Sequence, residues 1–301
     1  MNPDTLFFAY DLAPPPVKFT YSHPDQSLFR RSLIRAVEII SGQPRLQRLY
    51  TDWASFGKRP GESVFDAALR LLEVRPECTG EENLKALPRT GGLLIVANHP
   101  FGIVDGLSLG HIGMRLRGNV RILTNSLLCR VPEVDPHLLP VDFSGTPEAR
   151  RLTGETRRRA AELLSEGKTV AIFPGGSVAT ANRPFSGTAV DTPWHPFVGR
   201  LATLPGVTTL PLHFGGQNSR LFQIASHASY PLRIALIFSE TRRRMGMPVK
   251  IRFGAPIPAD ELRKLDRAAV ADELRRRTML LDPKTAQDPD EVFRWPSHVT
   301  W

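Results

Sequence analysis

Three short runs do most to limit the fold of this chain: 93–97 (LLIVA), 120–124 (VRILT) and 169–173 (TVAIF). The first is wholly apolar, the second carries Arg121 and the third opens on Thr169, and all are mostly β-branched or leucine and too short for a helix of their own. Nearly continuous apolar runs of this length mark strands buried on both faces, as in a parallel sheet. Helical patterns fall between them. The stretch 106–117 (GLSLGHIGMRLR) follows the first run, and 147–167 precedes the third, with Gly167 as its stop signal. The runs 207–214 (VTTLPLHF) and 249–254 (VKIRFG) read as further strands, and 258–277 as a late helix. Strands alternating with helices predict an α/β fold with a largely parallel central sheet flanked by helices.

Upstream, 27–40 places Phe29, Leu33, Val37 and Ile40 at helical spacing, with Arg30, Arg31 and Arg35 off that stripe. A second helix is expected over 62–74, so the sheet carries an N-terminal helical extension. The first 25 residues, rich in proline and aromatics, read as an extended arm. The expected division is 1–60 for arm and amphipathic helix, a candidate membrane-docking segment, 61–280 for the α/β domain, and 281–301 for a tail. The N-terminus lacks the basic and apolar regions of a signal peptide. No apolar run reaches the roughly 20 residues of a spanning helix. A soluble or peripheral protein facing the cytoplasm is expected. Two cysteines, Cys78 and Cys129, argue against a disulfide framework. The net charge of +9 suits nucleic acid, anionic lipid or an acidic protein. No basic motif with interleaved aromatics is present, so nucleic acid is not expected. The arginine triplets 157–159, 242–244 and 275–277 read as solvated helix faces. The eight histidines have no ligand spacing, and no metal is expected.

The chemistry-bearing residues lie where strands end. The first run leads into 98–106 (NHPFGIVDG), with five residues between His99 and Asp105. On a regular helix the two would stand about 120° apart. Pro100 and Gly102 disfavour that, and a turn entering a helix near Asp105 brings them together. An imidazole held by a carboxylate has a fixed tautomer and can take a proton from a substrate hydroxyl. Equally, Asp105 fits a helix cap and His99 a turn residue. The third run leads into Phe173, Pro174, Gly175, Gly176 and Ser177, a glycine-rich turn whose amides can hold an anion or oxyanion. A tight turn at the sheet edge fits as well. Residues 175–179 are one residue short of G-x-S-x-G, which makes Ser177 a minor candidate nucleophile. The following ATANRPFSG is a poor helix, whereas that motif needs one. Asp191, Trp194 and His195 either line the site or belong to an ordinary loop. Gln217, Asn218 and Arg220, after the Pro211 strand, fit binding of a headgroup or of a donor's phosphopantetheine, and equally packing.

Taken together and in order, ANHPFGIVDG, NSLLCRVPEVDPHLLPVDFSG, FPGGS and LHFGGQNSRLFQIASH make residues 93–256 resemble the lysophospholipid (glycerolipid) acyltransferase family. The match is with its bacterial hemolysin-like branch, which includes lyso-ornithine-lipid O-acyltransferases. The resemblance implies His99 as general base and Asp105 as the residue that orients it. It implies substrate contacts from Asn98, Phe101, Gly102, Phe173, Pro174, Gly175, Gly176 and Ser177, joined by Asn218 and Arg220. The implied donor is an acyl carrier protein or CoA thioester, the acceptor a lyso-lipid hydroxyl, with no cofactor. The implied location is the anionic surface of the inner membrane. The family spaces its histidine and aspartate by four residues, and Gly102 is positioned to absorb the fifth. Gly175 replaces the family's glutamate, and LLPVDFSG lacks its acceptor-binding arginine. Both departures favour an amino-acid headgroup, with lysophosphatidic acid as the alternative acceptor. A non-catalytic lipid-binding protein is the alternative of another class.

Overall fold

The computed structural model describes residues 20, 27–125, 131–142 and 146–299. The proline-rich arm, apart from Thr20, and Cys129 therefore lie outside the described residues, as do the rest of 126–130 and residues 143–145. The described chain opens with α1 (Leu28–Ile40) and α2 (Gln43–Asp52), and a π-helical turn, Trp53–Gly57, prolongs α2. Ile34 is buried against the body, while Leu28, Ile39 and Ile40 are exposed. Of the expected stripe, Val37 packs on the core and Ile40 is exposed, where Gly42, at φ 87°, turns the chain into α2, while the side chains of Phe29 and Leu33 lie outside the description. α3 (Val64–Leu71) starts at Ser63, whose hydroxyl accepts the Asp66 N–H at 3.1 Å.

The sheet then forms from β1 (Arg75–Thr79), β2 (Gly92–Ala97), β3 (Arg121–Asn125), β4 (Leu138–Val141) and β5 (Thr169–Ile172), with α4 (Ile103–Arg117) between β2 and β3 and α5 (Pro147–Ser165) before β5. A two-stranded flap, β6 (Thr180–Ala181) and β7 (Ala189–Val190), precedes α6 (Phe197–Ala202), β8 (Val207–Gly215), α7 (Arg220–Ala228), α8 (Tyr230–Arg244) and β9 (Pro248–Phe253). The chain continues through β10 (Ile257–Pro258), α9 (Ala259–Leu262) and α10 (Val270–Met279). Across the sheet the order is β1-β9-β8-β2-β5-β3-β4, with β10 antiparallel on β8. From β8 to β4 the neighbours are parallel, and β9 reverses direction beside β8. The largely parallel α/β architecture expected from the runs is what forms.

Every residue of β2 is buried, and its alternation sorts the core. Leu93 and Ile95 face one layer with Phe65, Leu109 and Ile112; Leu94 and Val96 face the other with Leu163, Leu201 and Leu274. The late helix expected over 258–277 is instead two helices. Asp266 Oδ1 accepts the Ala268 N–H at 3.0 Å, a local turn that competes with the helical ladder. α4 lies close on α3 because Gly110 has no side chain: a Cβ there would stand 2.3 Å from Phe65 Cδ1. Gly110→Val is expected to cost about 1–3 kcal/mol of stability, read as a lower melting temperature.

Candidate functional site

β2 ends at Ala97, beside β5 on one side and β8 on the other, and the chain leaves the sheet through Asn98. The Asn98 side chain is buried. Its Oδ1 accepts the Phe214 N–H at 2.6 Å and its Nδ2 donates to Phe214 O at 2.9 Å, adding a rung between the β2 exit and β8. His99 is fixed through its main chain: its N–H donates to Asp191 Oδ1 at 3.2 Å, and its carbonyl accepts the Ala179 N–H at 2.7 Å. Gly102 sits at φ 89°, ψ −112°, a conformation side-chain-bearing residues avoid. That turn accommodates the fifth residue between His99 and Asp105 and starts α4 at Ile103. Asp105 Oδ2 then accepts the amides of Phe101 at 2.6 Å and Gly102 at 3.0 Å. The same oxygen lies 3.1 Å from His99 Nδ1. The approach is oblique, a close polar contact rather than a linear hydrogen bond. Asp105 is both cap and imidazole partner. Its side chain is fully buried, whereas that of His99 is 18 % exposed.

β5 supplies the facing wall. The Phe173 ring stacks on the His99 imidazole, centroids 4.0 Å apart at 22°. The turn closes by a Gly176 N–H donated to Phe173 O at 3.0 Å. Beside Gly175 there is no open space: a Cβ would stand 3.3 Å from both Asp191 Cβ and Thr192 Oγ1. The carboxyl against this turn thus belongs to Asp191. Trp194 Nε1 donates to Asp191 Oδ2 at 2.9 Å. Burial pushes the Asp191 carboxyl above its ordinary range, against the pull of Trp194, the His99 amide and Arg275. Ser177 Oγ is buried and bonds nothing among the described residues. No helix follows it before α6, so the nucleophile elbow of a serine hydrolase is not formed, because Asn182, Pro184 and Gly187 interrupt the segment.

His99, Gly102 and the 173–177 turn open onto a cleft of about 710 Å³. Its walls are mainly apolar. Leu46, Leu49, Tyr50 and Trp53 come from α2 and its π-helical turn, Ile103 and Leu107 from α4, and Ile237 from α8. Trp194 and His195 also line it, and among the described residues its guanidinium-bearing members are Arg157 and Arg233.

Residues 50–286 match the family model described as Acyltransferase. The chain belongs to the acyltransferase family. It is similar to a lyso-glycine lipid O-acyltransferase of Phocaeicola vulgatus, 28% identical over 209 residues, covering 66% of this chain and 70% of that protein. A lyso-glycine lipid O-acyltransferase of Bacteroides thetaiotaomicron is 26% identical over 205 residues, covering 66% and 71%.

Not every expected substrate contact of this acyltransferase lies in the cleft. Asn98 is committed to β8, and Phe101 is buried beneath the Arg244 guanidinium, 3.8 Å from Cζ to ring centroid. Asn218 is buried with its amide unbonded, away from the cleft. Arg220 donates to Gly187 O at 2.9 Å and borders a separate polar cavity of about 440 Å³ with Gln217, His213 and Lys284. β8 flanks β2 on the side opposite β5, so the residues that follow β8 fall beside Asn98 rather than over His99. The arginine triplets are not simply solvated faces. Each turns one member inward: Arg157 to the cleft, Arg244 onto Phe101, and Arg275 onto Pro289 O at 2.7 Å. A rotation of about 100° per residue makes this the natural outcome for three consecutive positions. Arg150 and Arg151, near the start of α5, are exposed and do not reach the cleft lining. Sequence reasoning missed Arg233, whose signal is one cation inside the apolar YPLRIALIF of α8.

The polar cavity holds the site's clearest acid sensitivity. His213 is buried near Asn98 and Thr285, 3.9 Å from Asp282 Oδ2, and Asp282 also pairs with Arg252. Burial holds its imidazole down to about 4. The folded state thus favours the neutral ring. Stability from this group is full above the unfolded value near 6.5 and is lost as pH falls toward 4. His213→Gln is expected to flatten the fall in melting temperature across that window.

Proposed function

We propose that this enzyme moves a fatty acyl group from a thioester, on acyl carrier protein or CoA, to the hydroxyl of a lyso-lipid with an amino-acid headgroup. The observation that carries this reading is the His99–Asp105 pair on the wall of the apolar cleft. Asp105 engages Nδ1, and no described group bonds Nε2, the nitrogen left to receive a proton. The acceptor hydroxyl gives its proton to Nε2 as its oxygen attacks the thioester carbonyl. The tetrahedral intermediate collapses with cleavage of the C–S bond, and the imidazolium returns the proton to the departing thiolate. Among the described residues the amides of Gly175 and Ser177 bond nothing, while that of Gly176 is spent on Phe173. The free pair and the Ser177 hydroxyl are the donors assigned to the oxyanion. The apolar walls receive acyl chain. An amino-acid headgroup is supported by Gly175 in place of a glutamate, and a glycine-type one by the similarity to two lyso-glycine lipid O-acyltransferases.

The location in this reading is the cytoplasmic face of the inner membrane, bound peripherally. Support comes from the exposed Leu28, Ile39, Ile40 and Phe56 of the N-terminal helices and from the net charge of +9. No described helix is long and apolar enough to cross a membrane. The test offers the purified enzyme labelled acyl carrier protein or CoA thioesters with lyso-glycine lipid, lyso-ornithine lipid and lysophosphatidic acid. Labelled diacylated amino-acid lipid is the expected product. Acylation of lysophosphatidic acid alone, or lipid binding with no product, overturns the reading.

A further inference from the structure

Arg233 is 1 % exposed on α8, yet no described carboxylate pairs with it. Its Nη1 donates to Thr180 Oγ1 and Ser226 Oγ, each at 2.6 Å, and its Nη2 donates to Val178 O. Its Cζ lies 4.7 Å from the Phe222 ring centroid and 4.9 Å from that of Trp295. All of these partners are neutral. Hydrogen bonds and ring faces soften the loss of water, but a buried cation without an anion remains costly. Burial accordingly draws the guanidinium down to about 9. Three of its five N–H groups are engaged, and the other two have no partner among the described residues. Arg233 is among the residues that line the same cleft as His99. It is tied to the same segment too, because Val178 accepts from Arg233 and its neighbour Ala179 donates to the His99 carbonyl.

We propose that Arg233 binds the headgroup carboxylate of the acceptor while the acceptor's hydroxyl stands at His99. An amino acid acylated on nitrogen keeps its α-carboxylate, and a guanidinium matches a carboxylate with paired N–H donors. In a cleft this apolar the pairing is strong, and it supplies the counter-charge that the protein withholds. A neutral headgroup leaves Arg233 as it is. The assignment rests on the amino-acid lipid reading above. Arg157, the other guanidinium-bearing residue of the cleft wall, serves as the control: it is half-buried, contacts His195 Nε2 at 3.3 Å and lies over Phe197.

The test reads binding rather than turnover. N-palmitoylglycine and its uncharged methylamide, below their aggregation concentrations, compete with a fluorescent fatty-acid probe on the full chain. The wild type is expected to prefer the acid by about tenfold or more. Arg233→Gln is expected to bind both alike with amide affinity unchanged, and Arg157→Gln to keep the preference. Should Arg233→Gln not fold, Arg233→Lys keeps a cation in the wall and is expected to lower the preference several-fold. Equal binding by the wild type, an undiminished preference in the Arg233 variants, or its loss in Arg157→Gln alone overturns the proposal. An enzyme that prefers the acid but acylates no lyso-glycine or lyso-ornithine lipid leaves Arg233 assigned and removes the catalytic reading instead.

Discussion

His99→Ala is expected to lower acyl transfer by about 100- to 10,000-fold, the usual worth of a general base, while the protein stays folded. The two effects separate because the residue's main chain and side chain do different jobs. Its N–H and carbonyl hold the turn through Asp191 and Ala179, and alanine keeps both bonds. The Asp105 carboxylate keeps the amides of Phe101 and Gly102. What is lost is the stack on Phe173 and the contact with Asp105, so the stability change is expected to stay near about 1 kcal/mol. Turnover of a labelled thioester and the melting temperature, taken on one preparation, check both halves. A folded variant with full activity removes His99 from the chemistry.

The legibility of this outcome follows from how local each signal is. The runs at 93–97 and 169–173 form β2 and β5 because each is a short, largely apolar and β-branched segment, a pattern that a strand buried on both faces satisfies. Pro100 and Gly102 disfavour a regular helix, so the sequence offered the meeting of His99 with Asp105 beside the plain cap-and-turn reading, and the 3.1 Å contact distinguishes the two. The conformation that allows it, Gly102 at φ 89°, is one glycine adopts freely. Other features depend on what lies across space. Sequence places Asn218 and Arg220 after a strand's carboxyl end but does not say that β8 and β5 flank β2 on opposite sides. The break between α9 and α10 turns on one Asp266 side chain choosing a local amide over solvent. Arg233 interrupts an apolar run, and only the packing of Thr180, Ser226 and Trp295 around it distinguishes a buried cation from a helix facing water.

Asp105→Asn is expected to lose both rate and stability, and the pairing of the two losses is the point of the experiment. The carboxylate Oδ2 serves two amides and faces His99 Nδ1 from full burial. An asparagine presents one oxygen and one NH2 group. If its oxygen keeps the two amides, the NH2 takes the Oδ1 place, where the aspartate oxygen has no described partner, and a donor is buried unpaired. If the amide flips, its NH2 opposes the N–H groups of Phe101 and Gly102. Either arrangement is expected to cost about 1–3 kcal/mol. At His99 the negative charge that would stabilise a developing imidazolium is gone, and turnover is expected to fall by about 100-fold or more. A residue that only caps α4 predicts something else: a lower melting temperature with unchanged turnover per folded molecule below it. Rate and unfolding measured together therefore divide the cap from the orienting partner, and the 3.1 Å contact with His99 Nδ1 argues for both roles in one side chain.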